Sequence, residues 1–150
     1  MMSDAVAVLT PELLREITDF VGRVRAVFEA HRDKFGYLGV FPENACGQAS
    51  EILAQCLADR FSVSPACVYG FGRPEKHDAP HVWITLDGVV IDVTHDQQQF
   101  QPTELPIDKW VFAAPTAWHD AFDEKDVRPM LDRGQWQDGH EALYLLAIDC

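Results

Sequence analysis

The chain has 150 residues, with 24 acidic against 12 basic side chains and a formal net charge of −12. That length fits one compact domain, and 47% hydrophobic with 24% charged residues is an ordinary globular composition. There are no Lys/Arg clusters to displace counterions, which argues against nucleic acid as a partner. No apolar stretch approaches the ~20 residues of a membrane span, which argues against a membrane.

The start, Met1-Met2-Ser3-Asp4, has no basic residue leading into an apolar run, so it does not read as a secretory signal. The four cysteines, Cys46, Cys56, Cys67 and Cys150, make no CxxC pair and no dense framework. The expectation is a cytoplasmic protein with reduced thiols. Export by a signal-independent route is compatible with the same features.

Taken in chain order, Thr10 and Pro11 suit an N-cap and a first helical position. Leu13, Leu14, Ile17, Phe20, Val21, Val24, Val27 and Phe28 then recur at helical spacing to about Ala30. A loop from Lys34 to Glu43 precedes a second helix, about Ala45 to Arg60, with Asn44 as N-cap and Ala49, Ile52, Leu53, Cys56 and Leu57 as its buried stripe. A short strand from Cys67 to Phe71 follows, then a polar loop from Arg73 to Pro80.

The hairpin comes next. Asp87-Gly88 separates His81–Leu86 from Val89–Thr94, and Asp-Gly between two β-rich runs predicts a two-residue turn. A further strand is expected over Lys109–Ala113, and the tail ends in the apolar run Ala142–Ile148.

A two-residue turn sets the register, from Leu86 opposite Val89 to Trp83 opposite Asp92 and His81 opposite Thr94. One face then carries Val82, Ile84, Leu86, Val89, Ile91 and Val93 and must join the core. The other carries His81, Trp83, Thr85, Val90, Asp92 and Thr94. His81 and Asp92 become diagonal neighbours roughly 7–8 Å apart at the backbone. At that spacing an aspartate can fix the tautomer of a histidine and stabilise its charged form.

Cys46 falls in the first turn of the second helix. Unpaired backbone N–H groups and the positive end of the helix dipole favour thiolate over thiol there. Gly47 removes a side chain that would crowd an approaching carbonyl. The N–H of Cys46, aided by the side chain of Asn44 or Gln48, is placed to hold an oxyanion. By contrast Cys56, on the buried stripe, and Cys67, in a strand, read as small core residues. The predicted site is therefore Cys46 as nucleophile, His81 as base and Asp92 orienting the base.

The string Ala45-Cys46-Gly47-Gln48-Ala49, then Val68-Tyr69-Gly70, His81-Val82-Trp83 and Asp92-Val93-Thr94, resembles the core of the transglutaminase-like branch of the papain-like cysteine enzymes. The order Cys, His, Asp is the same, and the likeness covers about residues 44–94. The resemblance implies an α+β fold with N-terminal helices packed on an antiparallel sheet, spanning 1–150 with its core over 44–113. It implies the same three catalytic residues, places Trp83 in the cleft, and requires no cofactor. The upstream Trp or Gln that many relatives use for the oxyanion has no counterpart here. The chain also lacks the extra domains of tissue-type transglutaminases and is shorter than an arylamine acetyltransferase. Bacterial papain-fold toxins and effectors, glutamine deamidases among them, share this compact layout.

The activity expected is a thiol-dependent hydrolase or acyltransferase acting on an amide bond of a protein, a peptide or a small amide: a peptidase, amidase or deamidase. Two other readings compete with it. One is a non-catalytic binding module of the same fold. The other is a metal site drawn from His77, His81, Asp92 and His95, which lacks a helical HExxH. His119 and His140 read as surface or capping residues, and Trp110, Trp118 and Trp136 as packing.

Overall fold

The computed structural model describes residues 9–35, 41, 45–72, 80–96, 105–106, 108–136 and 139–150. The predicted helix α1 spans Pro11–Ala30, and the Thr10 hydroxyl accepts the Leu13 N–H at 3.1 Å. Ile17, Phe20, Val21, Val24 and Phe28 form its buried stripe, and Arg25 is buried among them.

Helix α2 spans Cys46–Phe61, starting at Ala45 and closing on Ser62 in the left-handed region. Asn44, the expected cap, lies outside the described residues. All five stripe residues, Ala49, Ile52, Leu53, Cys56 and Leu57, are fully buried. The Ser50 hydroxyl, on the same helix, donates to the Val82 carbonyl at 3.2 Å and ties α2 to the sheet.

The strands are β1 (Ala66–Phe71), β2 (His81–Leu86), β3 (Val89–Ile91), β4 (Val111–Phe112) and β5 (Glu124–Pro129). They form an antiparallel sheet in the order β4-β3-β2-β1-β5. Two short α-helices, α3 (Ala117–Asp120) and α4 (His140–Ala147), and two 3₁₀ turns at Arg32–Lys34 and Arg133–Gln135 complete the described elements. The molecule is thus α+β, with helices packed on an antiparallel sheet. No helix among the described residues is long and apolar enough to cross a membrane.

The hairpin turn is as expected. Asp87 and Gly88 both have positive φ, 49° and 83°, as a type I′ turn requires. Leu86 pairs with Val89, Thr85 with Val90 and Ile84 with Ile91. The ladder then stops, which corrects the longer register. The Asp92 N–H turns to the Trp110 carbonyl at 2.8 Å, and Val93–Asp96 form a turn instead of pairing with Val82 and His81.

Away from β5, the sheet is covered on both sides. Val82, Ile84, Leu86, Val89, Ile91 and Val93 join the α1, α2 and α4 residues in the larger core. The face expected to be polar is also buried, under a second cluster of Val68, Trp83, Val90, Leu105, Phe112, Trp118 and Phe122. The chain between Leu105 and Phe122 supplies four of those side chains, so His81 and Asp92 end in a dry interior. Strand β5, with every residue exposed, has no apolar alternation to reveal it. Its charges and Pro129 suit a sheet edge.

Candidate active site

The site is assembled where α2 begins, β2 begins and β3 ends. Cys46 is the first residue of α2 and is partly exposed. Its side chain is hydrogen-bonded to His81, the first residue of β2, which has no exposed surface. The His81 Nε2 donates to Asp92 Oδ2 at 2.7 Å, leaving Nδ1 as the ring nitrogen for the sulfur. The three residues singled out from sequence are therefore joined in one line.

Asp92 does not reach His81 as a cross-strand neighbour, as the longer register had it. It sits one residue past β3, where the chain leaves the sheet. Its Oδ1 accepts the Thr94 N–H at 3.1 Å, so the turn itself aims the carboxylate. Arg25 of α1 locks this turn from beneath. Its guanidinium donates to the Val93 carbonyl at 2.6 Å and to both Asp96 carboxylate oxygens at 2.8 and 2.9 Å. The same group lies over the Trp110 ring, 4.3 Å from its centroid.

His119 belongs to the site, contrary to its reading as a surface or capping residue. It is 2% exposed, and its Nε2 donates to Asp92 Oδ2 at 2.7 Å, the same oxygen that His81 uses. The carboxylate, which only accepts, sets the tautomer, and Thr116 supports it. Its hydroxyl oxygen accepts the His119 backbone N–H at 3.0 Å, capping α3, and lies 2.6 Å from Nδ1. With the hydroxyl donating to Nδ1, the proton of a neutral ring sits on Nε2 and points at Asp92. A residue 27 positions from Asp92 leaves no local pattern. The one sequence cue is Thr116 three residues before it, at a helix start.

The charges follow from this geometry. Burial alone would lower the His81 pKa, but the Asp92 charge and hydrogen bond, with the contact to Cys46, raise it to about 10. Burial would likewise raise Asp92, yet His81 and His119 together hold it well below the usual carboxylate range. Burial pushes His119 down, against the pull of Asp92, so this ring is the neutral one.

No family model, curated protein or solved structure matches this chain.

Trp83 is 3% exposed and stacks on His81 with ring centroids 5.8 Å apart, so it supports the imidazole from within the core and does not line an open cleft. Gly70, opposite His81 on β1, leaves the space that the Trp83 ring fills. Gln48 lies on the first turn of α2, and its amide donates to His140 Nδ1 at 3.3 Å. His140, also read as surface, is buried and donates from Nε2 to Glu51 at 3.0 Å. A cleft of about 170 Å³ opens here beside Cys46 in sequence, lined by Gly47, Gln48, Glu51, Tyr69 and His140 among others.

The other cysteines differ from Cys46. Cys56 and Cys67 are buried, and burial pushes both thiols up to about 12. The metal set expected from sequence is not brought together among the described residues. His77 lies outside them, and His95 spends its Nε2 on the Lys109 carbonyl at 2.7 Å. His81, Asp92 and His119 do present ligand atoms within 4.8 Å of one another. Both rings, however, meet the same carboxylate oxygen at N–H···O spacing, so the three groups satisfy each other.

Proposed function

We propose that this chain is a thiol-dependent hydrolase or acyltransferase of the transglutaminase-like branch of the papain-like cysteine enzymes, acting on an amide bond or related acyl group. One observation carries the reading: a single imidazole, His81, is hydrogen-bonded to the Cys46 side chain on one side and to Asp92 on the other. Nucleophile, base and orienting acid in that relation are what thiol catalysis requires.

In this reaction the Cys46 thiolate attacks the substrate carbonyl carbon, and the carbonyl oxygen takes the negative charge. The backbone N–H of Cys46 receives that oxyanion at the positive end of α2. The proton on His81 Nδ1 passes to the leaving amine as the C–N bond breaks, giving a thioester on Cys46. His81, now neutral, takes a proton from the incoming nucleophile, which displaces the sulfur and regenerates the ion pair. Water as nucleophile gives a peptidase, amidase or glutamine deamidase; an amine gives an acyltransferase. The substrate is a protein, a peptide or a small amide, and Asp92 keeps the ring aligned throughout.

The test needs no substrate. The full chain is alkylated with iodoacetamide across pH and the adducts are mapped by mass spectrometry. Cys46 is expected to react fastest, with an apparent pKa below the ~8.5 of an ordinary cysteine, and washing with a chelator should leave its rate unchanged. Cys46 reacting no faster than Cys150 would end the enzymatic reading.

A further inference from the structure

We propose that His119 is a positioning residue of this thiol site, holding the Asp92 carboxylate by a second N–H so that His81 keeps its place between Asp92 and Cys46. The inference rests on the enzymatic reading and extends it beyond three residues. A carboxylate in a dry interior must have its lone pairs satisfied. On Asp92, Thr94 serves Oδ1, while His81 and His119 share Oδ2. His81 gains and loses a proton during the reaction, so its bond to Asp92 changes character at each step. His119 does not take part in that transfer, and its bond is constant.

The groups around the pair are consistent with this division. Asp92 faces His81 from β2 and His119 from α3. His119 faces Asp92, His81 and, from the turn after β3, His95, with Thr116 on its far nitrogen. The contacts of its ring with Trp83, at 4.7 Å between centroids, and with Trp118, at 4.9 Å, keep water away and fix its plane. Thr116 completes the arrangement: the carboxylate only accepts and so selects the tautomer that donates from Nε2, and the Thr116 hydroxyl can donate to the Nδ1 this tautomer leaves bare. Without His119 one donor to Oδ2 is lost, and a buried carboxylate with fewer donors takes up a proton at higher pH. A neutral Asp92 no longer stabilises the charged form of His81, so the thiolate–imidazolium pair fails from the acid side first.

The experiment compares wild type, His119→Leu, His119→Gln and Thr116→Val by the pH dependence of Cys46 alkylation with iodoacetamide, with circular dichroism and thermal unfolding as the check on folding. His119→Leu is expected to move the acid limb upward by about one pH unit and to slow the reaction at neutral pH by about tenfold. His119→Gln, whose amide N–H can reach the same oxygen, should restore the rate to within about threefold of wild type. Thr116→Val, which removes the partner of Nδ1 while leaving the ring and its bond to Asp92, should shift the limb in the same direction as His119→Leu but by less.

A folded His119→Leu with the wild-type profile overturns the role of His119. So does a folded His119→Gln that behaves like the Leu variant, since the ring would then matter only as packing. If His119→Leu does not fold, a wild-type profile in a folded His119→Phe, which keeps a ring there without the donor, overturns it. Wild-type Cys46 reacting like an ordinary thiol overturns the enzymatic reading and this inference together, which distinguishes the two failures.

Discussion

At the scale of single residues, the buried histidines give the fold a pH optimum that can be worked out by sign. His81 is raised from its ordinary value of 6.5 to about 10, so the folded state holds a proton that the unfolded chain releases. Its contribution to stability is complete below pH 6.5 and is lost as pH rises through about 10. His119 is lowered from the same ordinary value, so the unfolded chain takes up the extra proton. Its contribution is complete above pH 6.5 and is lost on acidification. Asp92, held low, adds a further loss only in strong acid. Between pH 6.5 and ~8.5 the proton that His81 keeps is matched by the one the proposed Cys46 thiolate has given up, so the melting temperature is expected to level off there and fall on both sides, and His81→Gln should flatten the alkaline slope. A wild-type melting temperature that climbs steadily from pH 6.5 to 9 would contradict the assignment of charge.

At the scale of elements, two contacts from outside the site decide its geometry. Arg25 reaches from α1 to the Val93–Asp96 turn, which carries Asp92 at its head. Arg25→Met keeps an apolar stem but strands the Val93 carbonyl and Asp96. The expected loss is roughly 2–3 kcal/mol in urea unfolding, with slower alkylation of Cys46 as Asp92 loosens. Gly70 on β1 makes the second contact. A Cβ there would stand 2.8 Å from the Trp83 ring and 2.9 Å from Phe122, so Trp83 must move, and His81 stacks on Trp83. Gly70→Ala should cost about 1–3 kcal/mol and change the tryptophan fluorescence. An unaltered spectrum with full stability would show that the second cluster has room to spare.

At the scale of the whole molecule, α2 is held between the sheet and the terminal helix. Leu143 and Ala147 of α4 are fully buried with Leu53 and Leu57 of α2 in the larger core. The Tyr144 hydroxyl donates to Asp59 at 2.6 Å, and His140 reaches Glu51. Helix α4 thus helps fix the position of the helix whose first residue is Cys46. Leu143→Ala leaves a cavity in this core and should cost about 2–5 kcal/mol, measured by urea unfolding. A cost near zero would mean that α4 only lies on the surface.

The sequence by itself determined α1, α2 and the hairpin, because helical spacing, capping residues and an Asp-Gly turn act within a few residues. It also determined Cys46, His81 and Asp92 as partners, through their residue types and order. Only the tertiary structure decided how Asp92 arrives. The ladder ends at Ile91 because the Asp92 N–H bonds to Trp110 and the turn beyond is clamped by Arg25, neither of which is near in sequence. The same holds for the burial of the expected polar face and for His119, which reaches Asp92 only once the chain from Leu105 to Phe122 has folded over the sheet. Local patterns record what a segment can do with its own backbone and one apolar face. Which distant side chain satisfies a buried carboxylate is settled by packing, and no short stretch of sequence contains it.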